Sequence, residues 1–81
     1  MPAVVLRSGG FRFFFYSNEG RPREATHIHI EQGDNEAKFW LRPEVSLAYN
    51  DGFNAKTLHE LLSLVESNRE RIEKAWNDFF S

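Results

Sequence analysis

His27 and His29 stand two residues apart in the segment Thr26-His27-Ile28-His29-Ile30-Glu31, which alternates between apolar and polar residues without a break. In an extended strand such a pair projects from one side, and Glu31 continues the row. Parallel imidazoles of this kind suit several chemistries. With Glu31, or with Glu36 from a neighbouring strand, His27 and His29 could ligate a divalent metal. One imidazole could instead act as a general acid–base, since this ring type titrates near neutrality. With Arg12, Arg42 or Arg69 stabilising a phosphate, that would make a metal-independent ribonuclease. The plain alternative is a sheet face that carries amphipathic side chains and meets a loop or a second subunit.

The neighbouring strands decide what surrounds the histidines. In the hairpin, alternation groups Ile28, Ile30, Ala37, Phe39 and Leu41 as one apolar set, the floor for a helix. His27, His29 and Glu31 point the other way, with Glu36, Lys38, Trp40 and Arg42. The segment Phe11 to Ser17 divides likewise, with Phe11, Phe13 and Phe15 on one side and Arg12, Phe14 and Tyr16 on the other. The second face thus gathers Arg12, Phe14, Tyr16, His27, His29, Lys38, Trp40 and Arg42. Rings and basic groups interleaved in this way also suit a nucleic acid, with bases stacked on Phe14, Tyr16 or Trp40 and phosphates met by Arg12, Lys38 and Arg42.

These side chains need a scaffold, and the pattern supplies one. Ala3 to Arg7 predicts a first strand closed by Ser8-Gly9-Gly10, and the aromatic run Phe11 to Ser17 a second. Asn18 to Ala25 is a polar loop containing Gly20 and Pro22, expected to be the most mobile stretch. Thr26 to Glu31 and Glu36 to Arg42 form a hairpin around the Gln32-Gly33-Asp34-Asn35 turn. Pro43 interrupts the run, so Val45 to Tyr49 is either a short edge strand or an irregular connection. Asn54 is placed to cap a helix that starts at Ala55.

From there Leu58, Leu61, Leu62, Val65, Ile72, Trp76, Phe79 and Phe80 fall on one stripe at helical spacing. A continuous helix would span about 39 Å at about 1.5 Å per residue. Strands of this length reach only about 23 Å. The helix must overhang the sheet or break near Ser67-Asn68, and an overhang carrying Trp76, Phe79 and Phe80 would need another chain to cover it. Arg69 lies within the apolar stripe and must meet a carboxylate, with Glu31, Glu44 and Glu66 in range by sequence. His59 falls on the solvent side. The fold class is therefore α+β: a small antiparallel sheet of three to five strands packed on one long C-terminal helix.

Composition bounds the rest. The chain has 81 residues, room for one domain, and a formal net charge of −2, which argues against binding nucleic acid by bulk charge. Cysteine is absent, so disulfides, thiol catalysis and thiolate metal sites are excluded. Eight Phe, two Trp and two Tyr are much apolar surface for so small an interior, which favours a homo-oligomer or a cognate small-protein partner. No phosphate-cradling glycine loop or nucleophile motif is present, and nothing calls for a cofactor. The N-terminus lacks the features of a signal peptide and no stretch is long enough for a membrane helix, so the expected address is cytoplasmic.

Five segments together, PAVVLR, GFRFFFYSNEG, HIHIEQGDNEAKFWL, GFNAKTL and NRERIEKAWNDFF, resemble the domain-of-unknown-function 4160 family of small prokaryotic proteins, over nearly the whole chain. Where that family places prolines before the His-x-His strand, this chain has Glu24-Ala25-Thr26. Thr57 stands where an acidic capping residue is usual. The resemblance maps onto His27, His29, Lys38, Trp40, Arg69 and Trp76. It implies one half of a two-gene, toxin–antitoxin-like pair with a protein partner encoded nearby and, in a toxin, an RNA-directed activity.

Overall fold

The computed structural model describes residues 2–17 and 24–80, so most of the polar loop expected at Asn18 to Ala25 lies outside the described residues. The described residues form five antiparallel strands: β1 (Pro2–Ser8), β2 (Phe11–Tyr16), β3 (His27–Gln32), β4 (Asn35–Trp40) and β5 (Ser46–Asp51). They lie in sequence order across one sheet, which makes β1 and β5 its edges. Two residues, Gly9 and Gly10, turn β1 into β2, both at positive φ as so tight a hairpin requires. The second hairpin turns at Gly33-Asp34. The segment after Pro43 is a strand, and a register shift between Lys38 and Phe39 accommodates it on β4.

Two helices follow, α1 (Ala55–Ser67) and α2 (Arg69–Phe80), where one long helix was expected. Asn54 caps α1 as its position predicts: its Oδ1 accepts the Thr57 N–H at 2.8 Å. Asn68 makes the break. Its backbone departs from helical angles at φ −110° and ψ 15°, and its side-chain Nδ2 donates to the Leu64 carbonyl at 2.8 Å. A side-chain amide that satisfies a terminal carbonyl lets a helix stop without loss. The Asn68 carbonyl then accepts the Ile72 N–H at 2.9 Å, so one residue closes α1 and opens α2.

The break changes where the aromatic end goes. Leu61 and Val65 of α1, and Ile72 and Trp76 of α2, are all buried in the core with Phe11, Phe13, Phe15, Ile28, Ile30 and Phe39. Trp76 needs no second chain: it packs on Phe15 at 5.1 Å and Phe80 at 4.3 Å between ring centroids. Phe79 remains 44 % exposed. Burying Trp76, Ile72 and their neighbours contributes about 1.5–3 kcal/mol per large side chain, the main force holding the helices on the sheet. No helix among the described residues is long and apolar enough to cross a membrane.

Candidate functional site

The face away from the core is organised in rungs that run across the strands. One rung reads Val4, Phe14, His29, Lys38, Tyr49 from β1 to β5. Toward the β1–β2 and β3–β4 turns lies another: Arg7, Arg12, Glu31, Glu36, Asp51. At the other end of the strands His27 faces Trp40 and Trp40 faces Ser46. The alternation read from the sequence therefore places Arg12, Phe14, Tyr16, His27, His29, Glu31, Lys38 and Trp40 on one side. Arg42 is the exception, because β4 ends at Trp40.

That face is not open. His27 is fully buried, His29 is 3 % exposed and Phe14 is fully buried. The rings account for much of this. Phe14 stacks on His29 at 5.4 Å and Tyr16 meets it edge-on at 4.6 Å. His27 lies edge-on to His29 at 5.1 Å and against Trp76 at 4.8 Å. Trp76 thus bridges the two sides of the sheet at its end, touching Phe15 on one and His27 on the other.

Hydrogen bonding fixes both imidazoles. His27 Nδ1 lies 2.9 Å from the Ala25 carbonyl oxygen, which can only accept, so Nδ1 carries the proton. His29 Nδ1 is 3.3 Å from Glu36 Oε2 and 3.3 Å from the Tyr49 hydroxyl. That hydroxyl already donates to Glu36 Oε2 at 2.6 Å, so toward His29 it offers a lone pair. The Tyr49 oxygen therefore accepts from His29 Nδ1, and the Glu36 carboxylate lies beside the same nitrogen. Tyr16 donates to the other carboxylate oxygen at 3.2 Å. In both rings Nδ1 is therefore the donor, and His27 Nε2 is buried inside the face. A carboxylate beside Nδ1 orients the His29 ring, although both rings lie inside the face.

The cations are engaged elsewhere. Arg12 pairs with Glu31 and lies 4.9 Å from the Phe14 ring centroid. Lys38 meets Glu24 at 3.2 Å and lies 4.4 Å over Trp40. Arg42 and Arg69 converge on Glu73 of α2, at 2.5 and 2.8 Å, and Arg69 also donates to the Pro43 carbonyl. Glu73 is the partner of Arg69, in place of Glu31, Glu44 or Glu66. Burial pushes its carboxyl up, but the hydrogen bonds and charges of Arg69 and Arg42 outweigh this and hold it below the usual range. Neither arginine joins the histidines. Glu31 is committed to Arg12, and among the described residues no group of three His, Cys, Asp or Glu side chains gathers to hold a metal ion.

Residues 10–77 match the family described as Domain of unknown function (DUF4160). The chain belongs to that family. No curated protein and no solved structure matches it. The family span runs from the start of β2 into α2. It takes in both histidines, Glu36, Tyr49, the Asn68 break and Trp76, while β1 lies before it.

Tyr49 and Glu73 were not legible as members of these networks. The register shift that seats β5 on β4 sets which of its residues share the histidine face, and Pro43 hides the strand. Glu73 resembles any other residue of a mixed-charge helix face until the Asn68 break brings it to Arg42.

Proposed function

We propose that this chain is a small interaction protein, one component of a toxin–antitoxin-like module that acts by binding a cognate protein. One observation carries the reading: among the described residues, the large apolar and aromatic side chains that stay exposed lie at the margins of the fold, with Tyr16 of inner strand β2 the exception. Val4 lies on edge strand β1, Leu47 and Tyr49 on edge strand β5, and Phe79 at the end of α2. Edge strands with apolar side chains are where sheets accept partners. The competing polyanion reading draws less support, because Arg12, Lys38, Arg42 and Arg69 each already hold a carboxylate.

Co-expression with the product of the adjacent gene tests this. The expected result is a complex that survives size exclusion with light scattering. A monodisperse monomer at high concentration that ignores the neighbouring product overturns it.

The His29–Glu36 pair supports a second reading, a metal-independent ribonuclease-type toxin with a histidine Nε2 as base. Expression of the wild type beside a His27→Ala/His29→Ala double variant decides it. Growth arrest and RNA cleavage should disappear in the variant. Equal harmlessness of both, with no cleavage by either, rejects it.

A further inference from the structure

The two edges of the sheet differ in charge. On the rung Arg7, Arg12, Glu31, Glu36, Asp51, the β1 side is cationic and the β5 side anionic. Arg7 and Arg12 lie directly opposite each other, a repulsive placement for like charges on neighbouring strands. Glu31 neutralises Arg12, but among the described residues Arg7 has no carboxylate of its own. The β1 edge therefore carries a positive charge without a counter-charge. Toward the other end of the same edge, a cleft of about 410 Å³ opens between β1 and Phe15, Ala75 and Phe79 of the body, with Asp78, paired to Lys74 at 2.9 Å, also in its lining. Phe79 is 44 % exposed at this cleft, and Val4, which shares the other face of the sheet with Phe14, is 42 % exposed on the same edge.

We propose that the β1 edge is the docking surface and that its occupant is a short extended segment of a protein partner, both apolar and acidic. Its backbone adds to the edge as a further strand, so that its side chains alternate between the faces. One apolar side chain enters the cleft beside Phe79, another lies along Val4 on the other face, and a carboxylate meets Arg7. The inference rests on the interaction reading above and adds to it the place and the partner's chemistry. The opposite edge is the wrong sign for such a segment, since its end of the rung is Asp51. The register shift at Val5 interrupts β1, so regular pairing covers only a few residues on either side of it.

The test is amide hydrogen exchange on the full chain, alone and with the co-expressed product of the adjacent gene, joined to titration calorimetry of exposed-site variants. The expected result is slowed exchange confined to residues 2–8 and the end of α2. Val4→Lys and Arg7→Glu should each weaken binding about tenfold or more, with Arg7→Lys close to wild type. Because both side chains are exposed, unchanged thermal melting of the variants will show that folding is intact. Binding with protection elsewhere overturns this inference and leaves the interaction reading standing. Absence of binding overturns both. Protection of residues 2–8 that grows with the chain's own concentration assigns the edge to a second copy and overturns the partner proposed here.

Discussion

Strand β3 buries residues on both of its sides, and it does so by two different means. Ile28 and Ile30 enter an apolar core under the helices, filled by Phe13, Phe39, Leu61 and Ile72. His27 and His29 enter a layer of rings and hydrogen bonds, where Phe14, Tyr16, Trp40 and Trp76 supply surface and Glu36, Tyr49 and Ala25 supply acceptors. The first side gains by removing hydrocarbon from water. The second also hides polar atoms, each of which costs free energy where it finds no partner, as Arg12 Nε does among the described residues, so its margin is narrower. A sheet can therefore have two interiors with opposite rules.

The contrast can be broken by substitution. Ile30→Ala leaves a cavity in the apolar interior and is expected to cost about 2–5 kcal/mol in denaturant unfolding. Glu36→Ala should cost less, about 1–3 kcal/mol, through the carboxylate lost from beside the buried His29 imidazole and the Tyr49 hydroxyl. Tyr16 and Tyr49 are exposed enough for water to replace what their hydroxyls lose. If Glu36→Ala proves as damaging as Ile30→Ala, the two interiors are equally deep and the distinction fails. Asn54→Ala, which touches neither interior, is expected to cost about 1 kcal/mol through the lost helix cap.

The smallest effect concerns Glu73, and pH reads it. Its carboxyl is lowered in the folded state by Arg69 and Arg42 against the opposing push of burial. A lowered folded value means that its stabilisation is present above the unfolded carboxylate range and is lost as pH falls through the folded value. Glu73→Gln should therefore be less stable than wild type near neutrality, and the two should converge in acid. A difference that persists unchanged at low pH would show that packing, not charge, is what Glu73 supplies.

Much of this was legible in the sequence, and the exceptions are instructive. Strict alternation in His27 to Glu31 gave the correct side for every residue of that strand, because period two leaves no other solution. Asn54 announced its cap, whereas the mismatch between helix and strand lengths left an overhang or a break near Ser67-Asn68 equally open, and the expected single long helix is two. Alternation reports direction only, not cover. It could not tell that the histidine face was buried, since burial there depends on the packing of Phe14 and Tyr16 on His29 and of Trp76, from α2, on His27. Arg69 meets Glu73 at the ordinary i,i+4 spacing of α2, a partner the sequence offered as readily as Glu66. What escaped was set by tertiary placement: which residues of β5 fall on the histidine face, and where a helix turns.

The charged rung has a consequence for how solvent ions act on this molecule. Five strands about 4.8 Å apart put Arg7 about 19 Å from Asp51. That is more than two screening lengths at about 0.15 M salt, where the Debye length is about 8 Å. At that ionic strength the two margins behave as separate patches of opposite sign. In dilute buffer their fields merge into one in-plane dipole along the sheet, and an approaching charged body feels a torque before it feels a contact.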